Sequence, residues 1–193
     1  MVFTEERYDG IRDAVRDILC NIGEDPLREG LIGTPDRVAD FWMEFIDYDP
    51  GDLDVTFESV TTDQMVVLTG IRVWSLCEHH LLPFYCDISI GYITWDRVIG
   101  LSKLARIAHK HAHKLQIQER LVHEIAAEVE FLTGSEDVAV IARGVHMCMV
   151  MRGIKTPGVM VSSALRGKFL DSHRPEIRAE FMQLINIGKE AML

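Results

Sequence analysis

The sequence predicts an α+β fold. Three observations carry that expectation. Apolar residues recur at helical spacing through the first 50 positions; β-branched and aromatic residues with partial alternation take over from about residue 54; helical periodicity returns near residue 100, before a further strand region and a last helix. Helical segments and strand segments are grouped rather than strictly alternating, so an antiparallel sheet with helices packed on one face is expected, preceded by a helical extension over residues 1–50. Residues 51–193 then form the main domain.

Within the extension, Ile11, Val15, Ile18, Leu19 and Ile22 mark one face of a helix over residues 4–22. The stretch "GEDPLREG" breaks it through Gly23, Pro26 and Gly30. A second helix restarts in "TPDRVADFWMEF", with Thr34 as N-cap and Pro35 at the first helical position. The segments "DQMVVLTGIRVWSL" and "FYCDISIGYI" read as strands. In "GLSKLARIAHKHAHKLQIQERLVHEIAAEVEFL", Ile117, Leu121, Ile125 and Val129 stand four apart, and a break near Leu115 divides two helices. "DVAVIARGVHMCMVMRGI" is a strand region, and "RPEIRAEFMQLIN" is the last helix. No internal repeat or low-complexity linker interrupts this order.

Composition narrows the function classes. A chain of 193 residues buries enough surface to fold without staples. No run of about 18 apolar residues suggests a membrane span. The charged start "MVFTEERYDG" lacks the apolar core of a secretory leader, so a cytoplasmic protein is expected. There the four cysteines are free or metal-bound thiols rather than disulfides. The net charge of −10 argues against nonspecific nucleic-acid binding but not against an anionic small molecule, which a few converging Lys and Arg can hold.

One stretch resists a purely structural account. "WSLCEHHLLPFYC" places Cys77, Glu78, His79 and His80 inside an apolar run. On a straight strand residues 77 and 80 point to opposite faces, so both reach one point only if the chain turns between them. Cys-x-x-His is half of a zinc site. The other half is found in "VHMCMVMRG", where His146, Cys148, Val150 and Arg152 share a face if the strand runs on. Cys77, His80 and Cys148 then supply three ligands and leave a fourth position open, the pattern of catalytic zinc. His79 and His146 stand beside it as proton-transfer candidates. Cys20 and Cys86 fit as small core residues.

Five stretches, "GEDPLREGL…TPDRVA", "SLCEHHLLPF", "GLSKLARI", "LQIQER" and "HMCMVMRG", together resemble the GTP cyclohydrolase I family from about residue 18 to residue 185. The resemblance implies a tunnelling fold, in which subunits join their sheets into an oligomeric barrel, and a homodecamer with active sites at subunit interfaces. It implies a Zn2+ cofactor on Cys77, His80 and Cys148 that acidifies water to a pKa of about 7. It implies GTP as substrate, with formate and 7,8-dihydroneopterin triphosphate as products, and His79 and His146 as acid/base residues. Glu119 matches the guanine-binding position, with Gln118 beside it as a substrate-binding residue; a carboxylate suits the donor edge of guanine and rejects adenine. Lys103, Arg106 and Arg152 resemble a triphosphate clamp, Arg37 matches a basic residue of the family counted among the substrate-binding ones, and Ser102 resembles a serine serving the ribose rearrangement. Asp40, Cys86, Lys114, Arg143, Gly144 and Ser162 depart from the family's usual residues. Two rival readings keep other chemistry: another tunnelling-fold enzyme of purines or pterins, such as a nitrile reductase or a pterin synthase, or a zinc-stabilised assembly that binds nucleotide without turnover.

Overall fold

The computed structural model describes residues 4–190, so the ends of the two expected domains, residues 1–3 and 191–193, lie outside the described residues. The chain divides into two compact units, Met1–Asp49 and Pro50–Leu193.

In the first unit, α1 (Glu5–Asn21) is capped by Thr4, whose hydroxyl accepts from the Arg7 N–H at 3.4 Å, and Glu5 and Glu6 face the positive end of the helix dipole. Gly23, at φ 86°, ends it. The second helix, α2 (Thr34–Ile46), begins one residue earlier than expected: Gly33 is the N-cap, and the Thr34 hydroxyl accepts instead from Arg37 Nη2 at 2.9 Å. Asp40 accepts from the Tyr8 hydroxyl at 2.8 Å, which joins the two helices. Cys20 is exposed, not a core residue as its neighbours in the apolar stripe suggested.

The second unit opens with β1 (Thr56–Glu58), the long strands β2 (Met65–Cys77) and β3 (Pro83–Ile93), and β4 (Arg97–Ile99). Then come α3 (Leu101–Ala112), β5 (Leu115–Gln116) and α4 (Gln118–Thr133), divided where the sequence placed a break. The chain closes with β6 (Val138–His146), the single turn α5 (Met147–Val150), β7 (Met160–Leu165) and α6 (Pro175–Glu190). The main sheet runs β5-β2-β3-β6-β7 and is antiparallel except for β5, which lies parallel to the end of β2. A small β1-β4 ladder stands apart from it.

Alternation sorts the sheet into two faces. Phe84, Cys86, Ile88, Ile90 and Tyr92 of β3 and Val138, Val140 and Ala142 of β6 pack with Leu104 and Ile107 of α3 and Leu121, Ile125 and Val129 of α4. The intervening residues Ile93, Ala139 and Ile141 meet Phe181 and Ile185 of α6 on the other face. The expected face is thus the one that α3 and α4 cover, while α6 goes to the opposite one. A bulge between Leu68 and Ile71, with Gly70 at φ 74°, explains the partial alternation of β2. Before it the even residues Val66 and Leu68 face α3 and α4; after it the odd residues Ile71 and Val73 do. Among the described residues no helix is long and apolar enough to cross a membrane.

Candidate metal centre

The end of β2 and a tight turn build the first half of the centre. Cys77 is the last residue of β2, and its carbonyl accepts from the N–H groups of Leu81 at 2.8 Å and His80 at 3.3 Å. The Cys77 N–H donates to Leu82 O at 2.9 Å, and Leu81 takes φ 55° so that the chain can re-enter at Pro83. This is the turn the sequence required. It folds His80 back until its Nδ1 lies 3.8 Å from Cys77 Sγ. The parallel pairing of Cys77 with Gln116 sets the start of α4 beside the same turn, and Glu78 N–H donates to Gln116 O at 3.1 Å. Arg120 clamps the junction through an ion pair with Glu78 and a 2.6 Å bond to Gln116 Oε1.

Cys148 arrives differently from the expectation. β6 does not run on: it ends at His146, opposite Phe84, and residues 147–150 curl into α5. His146 and Cys148 therefore do not share a strand face, and neither Val150 nor Arg152 continues one. The helical turn still carries the thiol to the other half. The ligand atoms of Cys77, His80 and Cys148 all lie within 4.8 Å of one another, and they form the single such group among the described residues. His79 Nδ1 is also near, at 3.9 Å from Cys77 Sγ, but stands outside that group.

This donor set fits zinc. Tetrahedral bonds of about 2.3 Å to sulfur and about 2.0–2.1 Å to nitrogen put neighbouring ligand atoms about 3.6–3.8 Å apart. The 3.8 Å between Cys77 and His80 is already at that spacing. Two thiolates and an imidazole are also ligands that zinc accepts readily. Burial and the adjacent Cys77 push the Cys148 thiol up, while Arg152 opposes them. A dication supplies the charge that two neighbouring thiolates need. Cys86, by contrast, is pushed up to about 12 by burial and then by Asp87, and belongs to the core as expected.

Around the centre, His146 stacks on Phe84 with ring centroids 4.5 Å apart and planes 11° from parallel. Burial lowers its pKa, and nearby Glu119 acts in the opposite sense. Glu119 is exposed in the first turn of α4, one residue after Gln118, whose Oε1 lies 2.9 Å from His146 Nε2. Gln118, expected to bind substrate with it, is 1% exposed, and both its polar atoms are already engaged by the protein. Its side chain faces inward, between β6 and β7.

The expected phosphate-binding residues are spread out. Arg152 lies exposed just after α5. Ser102, Lys103 and Arg106 occupy the start and middle of α3, whereas the end of α3 is what meets the metal end of the sheet, through Ser75 Oγ donating to Ala112 O at 2.7 Å. Ser102 is about 15 Å along the helix from Ala112, at 1.5 Å per residue. Lys103 donates to Asp52 O, and Arg106 donates to Pro50 O at 3.0 Å. Within one chain, then, Ser102 and Lys103 sit at the end of α3 opposite the cysteines, with Arg106 midway along it. Arg37 lies in the first unit, exposed on α2.

Sequence reasoning missed Arg120, Phe84 and the role of Gly144. Arg120 follows Gln118 and Glu119 directly, and the apolar Phe84 gave no sign of its ring contact before the register of β3 with β6 was known.

The profile described as GTP cyclohydrolase I matches residues 11–186. The chain is 44% identical over 181 residues to a GTP cyclohydrolase 1 of Sulfurihydrogenibium sp. (strain YO3AOP1), covering 93% of this chain and 96% of that protein. Its identity to a GTP cyclohydrolase 1 of Hyperthermus butylicus is 49% over 159 residues, with 82% of each chain covered. A GTP cyclohydrolase 1 of Caldivirga maquilingensis is 46% identical over 176 residues, with 91% of each covered.

Proposed function

The chain belongs to the GTP cyclohydrolase I family, and we propose that its Cys77–His80–Cys148 centre holds the zinc ion with which it converts GTP and water to formate and 7,8-dihydroneopterin triphosphate. The observation that carries this reading is the convergence of those three ligand atoms within 4.8 Å, from segments some seventy positions apart. A zinc ion bound there supplies acidified water and Lewis acidity at neutral pH.

The chain's own residues do the rest. Glu119, exposed at the start of α4, accepts from the N1–H and amino group of guanine. His146, with its plane held by Phe84, and His79, with 65% of its side chain exposed on the turn, move protons at the imidazole ring of the substrate as it opens. Lys103, Arg106, Arg152 and Arg37 neutralise the triphosphate, and Ser102 serves the ribose rearrangement. Asp40, bonded to Tyr8, is held within the first unit by that hydroxyl.

Because Ser102 and Lys103 cannot reach the cysteines of their own chain, a complete site takes them from a second copy, in a homo-oligomer. The sheet offers the means. Among the described residues the edge strand β7 pairs with β6 alone, with Val161 61% exposed, and Trp74 stands 54% exposed on β2. Joined sheets of this kind form the barrel of a tunnelling fold, with residues 51–193 as the catalytic domain and 1–50 as the helical extension. The first test is direct. Zinc-loaded protein given GTP releases formate with a rise in pterin absorbance, and chelation abolishes both; GTP left intact by the zinc-loaded protein overturns the reading.

A further inference from the structure

The carboxamide of Gln118 is held from every side. Its Nε2 lies 3.1 Å from Ala142 O, 3.1 Å from Met160 O and 2.9 Å from Ser162 Oγ. Its Oε1 lies 2.9 Å from His146 Nε2. A backbone carbonyl can only accept, so the end of the amide that faces Ala142 and Met160 has to be the NH2 group. Turned over, the amide would set its oxygen against two carbonyl oxygens in a site without solvent. Oε1 therefore faces His146. Since this oxygen too can only accept, His146 Nε2 has to carry a hydrogen.

Two neighbours make the arrangement strict. Phe84 fixes the plane of the imidazole by stacking on it, and Gln118 fixes the rotation of the ring within that plane. Gly144 makes room for both the carboxamide and Cys86, its direct partner across the β3–β6 ladder. A Cβ at position 144 would lie 2.1 Å from Gln118 Oε1 and 2.9 Å from Cys86 Sγ. The glycine and the cysteine, paired across the ladder, thus form one complementary pair around Gln118.

We infer that Gln118 is a positioning residue for His146: it holds the neutral imidazole as the Nε2–H tautomer and so makes Nδ1 the nitrogen that exchanges protons with the substrate. The inference rests on the reading of His146 as a proton-transfer residue. A proton taken at Nδ1 gives an imidazolium whose Nε2–H still points at Gln118, and the bond strengthens with the charge. When Nδ1 gives the proton back, the same tautomer returns, so no ring flip is needed between turnovers.

The test uses the metal-loaded, GTP-free protein labelled with 15N in its histidines, at about pH 8, where an ordinary imidazole is neutral. His146 is assigned by difference against His146→Gln. The expected spectrum has a pyrrole-like Nε2 and a pyridine-like Nδ1. In Gln118→Met a mixture of tautomers is expected, with kcat lowered about 100-fold, metal content unchanged, and KM for GTP within about two-fold, since binding energy common to ground and transition states is left alone. Gly144→Ala, which keeps Gln118 but drives its oxygen away, should behave alike. A wild-type His146 protonated on Nδ1 overturns the proposal, and so does Gln118→Met with an unaltered tautomer or an unaltered kcat. If that variant does not fold, the wild-type spectrum still decides. Because the spectrum needs no turnover, a wild-type protein that releases no formate would sink the reaction alone.

Discussion

His79 and His80 are adjacent in the chain and nearly equidistant from Cys77, with Nδ1 atoms at 3.9 and 3.8 Å, yet the turn gives them different work. His80 is folded back where Cys148 also arrives, while His79 stays on the outer side of the turn, near Glu78 at 3.9 Å. Removal of each imidazole should therefore fail in a different way. His80→Ala is expected to lose the metal, because a ligand is gone and two neighbouring thiolates cannot hold the ion as well alone. His79→Ala is expected to keep the metal and lose about 100- to 10,000-fold in kcat, the range of a proton-transfer residue. Metal analysis and formate release on the two purified variants check this. Metal loss on the His79 side, with retention on the other, would show the roles to be exchanged.

At the scale of elements, both faces of the sheet are in use, and α6, expected on the same face as the other helices, packs on the opposite one. Its docking depends on the absence of a side chain at Gly91 of β3, where an added Cβ would come within 2.5 Å of the Phe181 ring. Phe181 is 1% exposed and packs on Phe169 at 5.5 Å, so it has little freedom to give way. Gly91→Ala should destabilise the fold by about 1–3 kcal/mol, the usual cost of overpacking, read as a lower denaturation midpoint. An unchanged midpoint would mean that α6 does not lean on β3. The helix α4 was legible because it buries one stripe: Ile117, Leu121, Ile125 and Val129 recur every turn, and the break at Leu115 left no way to continue one helix. Less legible were the features that depend on a distant partner. "HMCMV" has the composition of a strand, and local propensity alone runs β6 through it; what bends Met147–Val150 into a turn is tertiary context. The three-residue strands β1 and β4 carry too little pattern to be seen, and the burial of Gln118 is invisible in a motif.

For the whole molecule, the separation of the two groups within a chain decides how the protein has to work. Cys77, His80, Cys148, His79 and His146 gather at one end of the sheet, while Ser102 and Lys103 sit at the far end of α3, where the adjoining Ile99 N–H donates to the Tyr92 hydroxyl at 3.2 Å. Tyr92 and Phe84 are both on β3, eight residues and so about 27 Å apart. On the proposed reading, with guanine at Glu119, a triphosphate cannot bridge that span. If the two halves of each site come from different copies, subunits defective in opposite halves should rescue each other. Co-expression of His79→Ala with Lys103→Met, each nearly inactive alone, would yield mixed oligomers in which half of the metal ends and half of the cation ends are intact. Random pairing then makes about one site in four wild type, and about a quarter of the wild-type rate should return. The same two substitutions placed together in one chain and mixed with wild type give no such gain over the wild-type sites present. Recovery no greater than the sum of the separate variants would mean that each chain completes its own site, and that the path from Lys103 to the cysteines is shorter than the helix between them allows.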